Sequence, residues 1–297
     1  MLVVSGKGIQ AMNAMFWKNT IWFVLLGMTT ILELVLIFRK ADDRRRTAAV
    51  YLTISGMTFC FEMFVLSYLK AYNYYPKIFP DSSADDNIAG NLFSQFSVSA
   101  TALLLTVFDL NGVWKLIFIA AYSGIEEGFK ALGIYRQHWY RTWMTMVSLL
   151  LLFWVAKHTC AAGRTYLKRW LRYLFIFLGL ITLHEHLIVW VLRLTGIRLL
   201  SEHVLPDKEH SLVVLSAFYM LLLGVFVMFL YFSSIRWGWK LLLLAVLYFG
   251  HWLAARYNLI LYKESWMWIA SSISIWSMYG FTFLLDKLYG SYPEPKP

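Results

Sequence analysis

Several ionisable side chains lie inside long apolar stretches of the sequence, where a charged group is costly. They are five glutamates and three histidines: Glu33, Glu62, Glu126, Glu127, Glu185, His184, His186 and His251. An ionised side chain at the centre of a bilayer costs at least about 2.5–3.5 kcal/mol, so each of these residues is a candidate functional group. A buried carboxyl group can bind a proton or a cation, or it can protonate a substrate.

Four of these residues are the leading candidates for one buried polar site. They are Glu62, Glu126, Glu185 and His251. Counted along helices that rise about 1.5 Å per residue, all four fall in one layer, between the middle and the outer third of the membrane. The sequence therefore predicts a Glu/His site inside a helical bundle, with Glu126 facing the interior beside Glu62.

The adjacent acids Glu126 and Glu127 are predicted to have different roles. Consecutive residues of a helix are about 100° apart, so both carboxylates cannot face one cavity squarely. Lys130 lies three or four residues further on, which is the spacing of a helical ion pair, and it can neutralise one of the two acids. Glu127 and Lys130 are therefore secondary candidates.

His184 and His186 flank Glu185 in "LHEHL" and are the other secondary candidates. Side chains two positions apart on a helix are about 200° apart, so the two imidazoles cannot converge on one point. A zinc site needs converging ligands, and no two histidines of this chain are spaced four residues apart. We predict neither a metal nor another cofactor.

The elements that must position these residues are membrane-spanning helices. Apolar residues make up 60% of the 297 residues and charged residues only 15%, whereas soluble domains carry about 25% charged residues. Nine apolar runs are long enough to cross a hydrocarbon core of about 30 Å. They are residues 19–38, 47–69, 89–108, 113–134, 143–160, 171–193, 212–234, 239–261 and 266–285. Because lipid offers the backbone no hydrogen bonds, the predicted fold is an all-α integral membrane bundle of about nine transmembrane helices.

Two basic loops predict the orientation of this bundle. Lysine and arginine cluster at 39–46 and 157–172, and nine spans place both loops on the same side. The positive-inside rule makes that side cytoplasmic, so the N-terminus is expected outside and the C-terminus inside. The residues expected to meet anionic lipid head groups are Arg44, Arg45, Arg46, Lys168 and Arg169. These cations explain the formal charge of +10 without a nucleic-acid partner, which would need a basic surface on a soluble domain.

The two halves of the chain match at several positions, which predicts an internal repeat, although two leucine-rich spans can also match by composition. The matched pairs are Trp114 with Trp239, Glu126 with His251, Tyr135 with Tyr262 after a two-residue insertion, and Glu62 with Glu185. The repeat predicts an N-terminal helix with a basic loop (1–46), a first four-helix unit (47–165), a second four-helix unit (166–288) and a C-terminal tail (289–297). Four spans return the chain to the side from which it started, so the two units are predicted to be parallel.

Three segments of the first half carry a family resemblance. They are "FEMFV" (61–65), "FSQ" (93–95) and "IEEGFKALGIYRQHWYRTW" (125–143). They resemble an uncharacterised family of small multi-pass membrane proteins from spore-forming Firmicutes, here as a tandem duplication in which His251 departs from the acidic position. The resemblance implies a location in the bacterial cytoplasmic membrane. Because that family has no established activity, it implies no particular chemistry.

Three functions are compatible with this pattern. The first is a transport-like or small-ligand-binding bundle, whose buried carboxylates bind protons or cations and couple them to a small solute. The second is a membrane-embedded enzyme acting on a lipid or isoprenoid, with a buried glutamate as proton donor. The third is a non-catalytic structural or sensory subunit. We rank the first ahead, with the bilayer and a small solute, a proton or a hydrophobic ligand as partners, and we predict no oligomeric state.

Overall fold

Nine long helices form most of the described part of the chain. The structure is a computed structural model that describes residues 13–164 and 167–290, apart from the side chains of Arg164 and Glu209. The helices are α1 (Asn13–Lys40), α2 (Arg44–Tyr68), α3 (Ser83–Val107), α4 (Gly112–Ala131), α5 (Thr142–Arg164), α6 (Arg169–Leu194), α7 (Lys208–Phe232), α8 (Trp237–Arg256) and α9 (Met267–Tyr289). Each predicted span corresponds to one of these helices, so the predicted all-α membrane fold is confirmed.

Eight of the nine helices in this part of the chain are long and apolar enough to cross a membrane. The exception is α4, because it carries Lys115, Glu126, Glu127 and Lys130 within its 20 residues. Two helices contain a segment of π-helix beside a candidate residue. In α2 it is Met63–Tyr68, directly after Glu62, and in α6 it is Glu185–Val189. Such segments are frequent at functional sites because they redirect side chains.

Four short strands lie between the helices and form two antiparallel pairs. They are β1 (Tyr72–Tyr74), β2 (Tyr135–Gln137), β3 (Arg198–Leu200) and β4 (Ile260–Tyr262). In the β1–β2 pair Tyr72 lies opposite Gln137, and in the β3–β4 pair Arg198 lies opposite Tyr262. Each strand follows, by two residues, a residue with positive φ: Lys70, Gly133, Gly196 and Asn258. The left-handed residue turns the chain out of the preceding helix and into the strand.

Capping side chains fix where α3, α4 and α7 begin. Ser82 accepts a hydrogen bond from the backbone N–H of Asp85, and Asp207 accepts one from His210. Asn111 does the same for Val113 and Trp114 at the start of α4. These bonds satisfy N–H groups that have no partner within the helix, and they set the helix register from which the site side chains project.

The chain divides into two compact units. Of the described residues, the first unit contains 13–44 and 64–161, and the second contains 45–63 and 162–290. In the first unit α1 packs along α3, with Gly27 against the ring of Phe93. Its N-terminal part is held by Thr20, whose hydroxyl donates to the backbone oxygen of Pro76 at 2.8 Å. Tyrosine and phenylalanine rings from β1, β2 and α1 fill the core of this unit.

In the second unit α2 and α6 approach each other closely. Gly56 of α2 lies against the backbone of Leu178, and a Cβ atom at this position would clash with the Leu178 carbonyl oxygen. Thr53 donates a hydrogen bond to the backbone oxygen of Phe175, and Thr182 donates one to that of Leu52. A glycine and two buried hydroxyl groups therefore hold these helices together, as is common for helices packed in a membrane.

The composition of these units differs from the boundaries expected from the repeat, 47–165 and 166–288. The N-terminal helix α1 is part of the first unit, and most of α2 belongs to the second. The physical reason is the close packing at Gly27 and at Gly56, which the order of spans along the chain does not reveal. The expected tail, 289–297, lies outside the described residues from 291 onward.

Corresponding elements of the two halves are separated by a constant number of residues. The pairs α3 and α7, α4 and α8, β2 and β4, and α5 and α9 begin 125 residues apart, at 83 and 208, 112 and 237, 135 and 260, and 142 and 267. The members of each pair are equally long, with 25, 20, 3 and 23 residues respectively. At this spacing Tyr135 lies opposite Ile260 and not Tyr262, so the element boundaries show no two-residue insertion, and the repeat itself stays a prediction.

The basic residues expected at the lipid head groups differ in exposure. Arg44, Arg45, Lys168 and Arg169 have exposed side chains. Arg46 is only 5% exposed, because it lies within the first turn of α2 on the side that packs inside the protein. This burial does not favour lipid contact by Arg46, and lipid contact by all five basic residues stays a prediction.

Candidate functional site

A buried arginine is the centre of a polar cluster in the second unit. Arg198, the first residue of β3, is 3% exposed. Its Nη1 donates to the hydroxyl groups of Tyr219 on α7, at 2.6 Å, and Ser274 on α9, at 2.7 Å. The guanidinium group also lies over the ring of Tyr219, 4.7 Å from its centroid. Strand β3 thus directs a charged side chain between two helices, where these contacts hold it in one position.

His251 joins this cluster through Tyr219. Its Nε2 lies 3.3 Å from the Tyr219 hydroxyl, and its Nδ1 lies 2.9 Å from the backbone oxygen of Leu247. A carbonyl oxygen only accepts, so Nδ1 carries a proton and donates it. The Tyr219 hydroxyl accepts from Arg198 and has its own proton to donate to Nε2, and in that arrangement the His251 imidazole is neutral.

Three serines on one face of α9 connect the cluster to its neighbours. Ser271 lies 3.4 Å from the hydroxyl of Tyr262, Ser274 bonds Arg198, and Ser277 lies 3.4 Å from Nδ1 of His184. Residues three apart on a helix share a face, and six residues span about 9 Å along its axis. Tyr262, Arg198 and His184 therefore follow one another along a single polar stripe of α9.

Glu185 lies on the α7 side of the same cluster. Its Oε1 accepts a hydrogen bond from Ser216 at 3.2 Å, and Ser216 precedes Tyr219 by one helical turn. Glu185 is 8% exposed and His184 is fully buried. The charge of Arg198 acts on Glu185, His184 and His251.

Two buried nitrogen atoms of this cluster have no hydrogen-bond partner among the described residues. They are Nη2 of Arg198 and Nε2 of His184. Within the same part of the chain, no carboxylate lies within ion-pair distance of Arg198. Arg172 of the same unit shows the usual arrangement, since its Nη2 lies 2.7 Å from the carboxylate of Asp286. Buried charges in proteins are normally paired, so the Arg198 guanidinium is an exception that needs an explanation.

Tyr262 lies at the end of the cluster that is formed by β3 and β4, and its hydroxyl group is neutral. Burial raises the pKa of Tyr262 to about 12, and Tyr219 raises it further, whereas the hydrogen bond with Ser271 and the charge of Arg198 lower it. The phenol therefore keeps its proton at neutral pH and does not act as a counterion for Arg198.

Glu126 occupies a separate polar site in the first unit. Its Oε2 accepts a hydrogen bond from Thr145 at 2.5 Å, and its Oε1 accepts one from the amide of Gln137. The Thr142 hydroxyl lies 3.2 Å from Oε1. All of these partners are neutral, and Glu126 is half-buried.

Glu127 differs from Glu126 in exposure and in partners. Its side chain is exposed and pairs with Lys130 at 2.8 Å, in the three-residue spacing that the sequence allowed. The Thr142 hydroxyl lies 2.5 Å from Oε1 of Glu127 and donates its single proton to this carboxylate, which is nearer than that of Glu126. Lys130 thus neutralises Glu127, while the carboxylate of Glu126 is hydrogen-bonded within the protein.

A further polar chain in the first unit includes Glu33 of α1. Thr101 lies 2.8 and 2.9 Å from the two carboxylate oxygens of Glu33 and 2.7 Å from the hydroxyl of Tyr122. Tyr122 in turn lies 2.8 Å from the hydroxyl of Ser97. This carboxylate is therefore satisfied by a chain of hydroxyl groups from α3 and α4.

The structure brings only some of the predicted site residues together in one cluster. Glu185 and His251 belong to one cluster, together with the secondary candidate His184. Glu62 is half-buried at the end of the α-helical part of α2 and belongs to the second unit, whereas Glu126 belongs to the first. The predicted pairing of Glu62 with Glu126 stays a prediction.

His186 has different surroundings from His184. Its ring meets Phe59 edge-on at 5.1 Å, and its Nδ1 donates to the backbone oxygen of Thr182. The expectation that the two imidazoles flanking Glu185 cannot converge agrees with these contacts. Among the described residues, no three His, Cys, Asp or Glu side chains come together as a metal site would require.

The sequence reasoning did not identify Arg198 and Tyr219. Arg198 follows the apolar run 171–193 and lies outside every predicted span. The available signal was its isolation: it stands between Ile197 and Leu199, two residues after Gly196, and not in a basic cluster. No family model, curated protein or solved structure matches this chain, so the resemblance to the Firmicutes family stays a prediction.

Proposed function

We propose that this multi-pass membrane protein binds a small anionic solute in the second unit, as a transport-like or ligand-binding bundle. The observation that carries the proposal is the guanidinium group of Arg198, which is buried and has no carboxylate partner in the described chain. The cost of burying a single charge is several kcal/mol, or about 20 kcal/mol in the idealised limit. A bound anion would offset much of this cost and would accept hydrogen bonds from Nη2.

The surroundings of Arg198 support this role. Tyr219 and Ser274 hold Nη1, so the side chain is positioned before a ligand arrives, which reduces the entropy lost on binding. Nη2 of Arg198 and Nε2 of His184 are two further buried positions at which a ligand oxygen could bind. The cluster therefore has a positive charge and unused hydrogen-bonding positions, which together favour an anion.

The contacts of Glu126 in the first unit support the enzyme alternative less than the Arg198 cluster supports solute binding. A proton donor to an alkene must direct its carboxyl group toward an apolar substrate. Glu126 instead directs both oxygens toward Gln137 and Thr145, which are hydrogen-bond donors. We therefore rank solute binding ahead of lipid or isoprenoid chemistry.

We also propose that the chain is a tandem duplication of one helical unit. The support is the shared spacing of 125 residues between α3 and α7, α4 and α8, and α5 and α9. At this spacing Glu126 corresponds to His251, and Gln137 corresponds to Tyr262. The corresponding positions carry an acid in one half and a neutral imidazole in the other, so the duplicated sites would have diverged.

We propose a location in the bacterial cytoplasmic membrane, with the N-terminus outside and the C-terminus inside. The support is the pair of basic loops at 39–46 and 157–172, which the positive-inside rule assigns to the cytoplasm. If all nine helices cross in alternation, α4 included, the loop that contains Glu264 lies outside and the loop that contains Asp42 lies inside.

This orientation predicts the labelling of two exposed loop positions in intact cells. In a background with Cys60→Ser and Cys160→Ser, Glu264→Cys is expected to react with a membrane-impermeant maleimide. Asp42→Cys is expected to react only after permeabilisation, because the reagent cannot reach the cytoplasm. Both side chains are exposed, so accessibility within the protein is matched. The reverse labelling pattern would contradict the proposed orientation.

The anion site predicts that a small anion stabilises the purified protein. Thermal unfolding in detergent should be followed at constant sodium while the sodium salts of chloride, acetate, phosphate and sulfate are titrated. A ligand at 100 times its Kd stabilises the folded state by about 2.7 kcal/mol. At least one anion should therefore raise the unfolding temperature with a saturable dependence on concentration. If no anion does so, the proposed function is wrong.

A further inference from the structure

We infer that the cluster around Arg198 selects a singly charged anion over a doubly charged one. This inference rests on the proposed function and specifies the ligand of the same site. It follows from the number of positive charges that face the site and from the nitrogen atoms that remain free.

The cluster contains one fixed positive charge. His251 adds no charge when its Nδ1 donates to Leu247 and its Nε2 accepts from Tyr219, which is the neutral tautomer that these contacts fit. His184 is fully buried beside the guanidinium group, whose charge acts on it and opposes a second positive charge. Glu185 and Tyr262 add no positive charge. With the Glu185 carboxyl group protonated, one guanidinium group balances one negative charge of a ligand.

The free nitrogen atoms of the cluster point to the same ligand class. Nη1 of Arg198 already donates to Tyr219 and Ser274, which uses both of its N–H groups. The parallel pair of bonds that Nη1 and Nη2 of an arginine often make with phosphate is therefore closed to a ligand. Nη2 remains free, and Nε2 of His184 is the other buried atom of the cluster without a partner in the described chain. Such a site suits a halide ion or one carboxylate group.

A second negative charge on the ligand would have no counterpart in this cluster. Glu185 lies close enough for the charge of Arg198 to act on it, so a dianion would meet a carboxyl group and no additional cation. An uncompensated charge in a buried site is strongly unfavourable. We therefore expect a dianion to bind at least about tenfold more weakly than a monoanion of similar size.

The test compares wild type with Arg198→Gln while chloride, acetate or sulfate is titrated at constant ionic strength. Chloride or acetate is expected to give a saturable rise in unfolding temperature in wild type that Arg198→Gln lacks. Sulfate stabilises proteins generally by exclusion from their surface, so it should shift both proteins equally. Arg256→Gln removes an exposed arginine of the same unit and should respond like wild type.

Two results would contradict different parts of the account. A saturable shift with sulfate that is seen in wild type, absent in Arg198→Gln and at least as tight as that with chloride or acetate would overturn the inference. In that case the anion site itself would stand. If none of the three anions distinguishes wild type from Arg198→Gln, both the inference and the proposed function fail.

Discussion

In buffer without a binding anion, Arg198→Gln is expected to unfold at a higher temperature than wild type. The substitution removes a buried charge that has no carboxylate partner in the described chain, and the glutamine amide can still donate to Tyr219 or Ser274. A buried charge carries an effective desolvation penalty of several kcal/mol, and removing an unpaired one relieves part of that penalty, so we expect a gain of about 1–4 kcal/mol. At about 2–4 °C per kcal/mol, the expected rise is several degrees, measurable by thermal unfolding in detergent.

The sign of this change distinguishes a ligand-binding arginine from a structural one. If the guanidinium group were paired within the protein, its loss would destabilise the fold by about 3–5 kcal/mol, because an uncompensated charge would remain. A clear fall in unfolding temperature would thus contradict the account. The exposed Arg256 provides the matched control, and Arg256→Gln is expected to change stability by no more than about 0.5 kcal/mol.

Gly56→Ala is expected to cause a large loss of stability. The new Cβ atom would lie 2.6 Å from the carbonyl carbon of Leu178 and would clash with its oxygen. These are backbone atoms of α6, so no side-chain rotation can relieve the contact and the helices must move apart. Overpacking typically costs about 1–3 kcal/mol, occasionally more, and a clash with rigid backbone belongs at the upper end.

The effect can be measured as the yield of monodisperse protein in detergent and as its unfolding temperature. Gly280→Ala in α9 is the control, because a Cβ atom at Gly280 meets nothing within 4 Å. In a helix interior, alanine is favoured over glycine by about 0.5–1 kcal/mol, so this variant should be as stable as wild type or more stable. If Gly56→Ala were as stable as Gly280→Ala, the close approach of α2 and α6 would be wrong.

The membrane helices could be predicted from the sequence because hydropathy and length are local properties. Each of the nine apolar runs corresponds to a helix, and eight of these helices, all except α4, are long and apolar enough to cross a membrane. The pairing of Glu127 with Lys130 could also be anticipated, because residues three apart on a helix are neighbours wherever the helix lies.

The binding cluster could not be predicted in the same way, because its members are distant along the chain. Arg198 contacts Ser274, which is 76 residues away, and reaches it only because β3 pairs with β4. Strands of three residues carry almost no periodic signal, so neither strand was anticipated. Glu185 and His251 could be identified as buried polar groups from the sequence. The place of Arg198 in the same cluster follows only from the three-dimensional structure.

The sorting of helices into compact units also depends on contacts that the sequence does not show. Gly27 and Gly56 decide which helices can approach closely, since a single Cβ atom would separate them. Nothing in the sequence distinguishes Gly56 from Gly280, which has open space around it. The regular spacing of 125 residues is visible in the element boundaries, although few residues at matched positions are identical.

The central claim is most directly tested by an experimental density map of the protein purified in sodium acetate and resolved well enough to place side chains. The account predicts density for a bound anion in contact with Nη2 of Arg198, while Nη1 remains bonded to Tyr219 and Ser274. The contradicting result is an Nη2 that is hydrogen-bonded to a carboxylate of the chain, such as that of Glu185, with no additional density beside it.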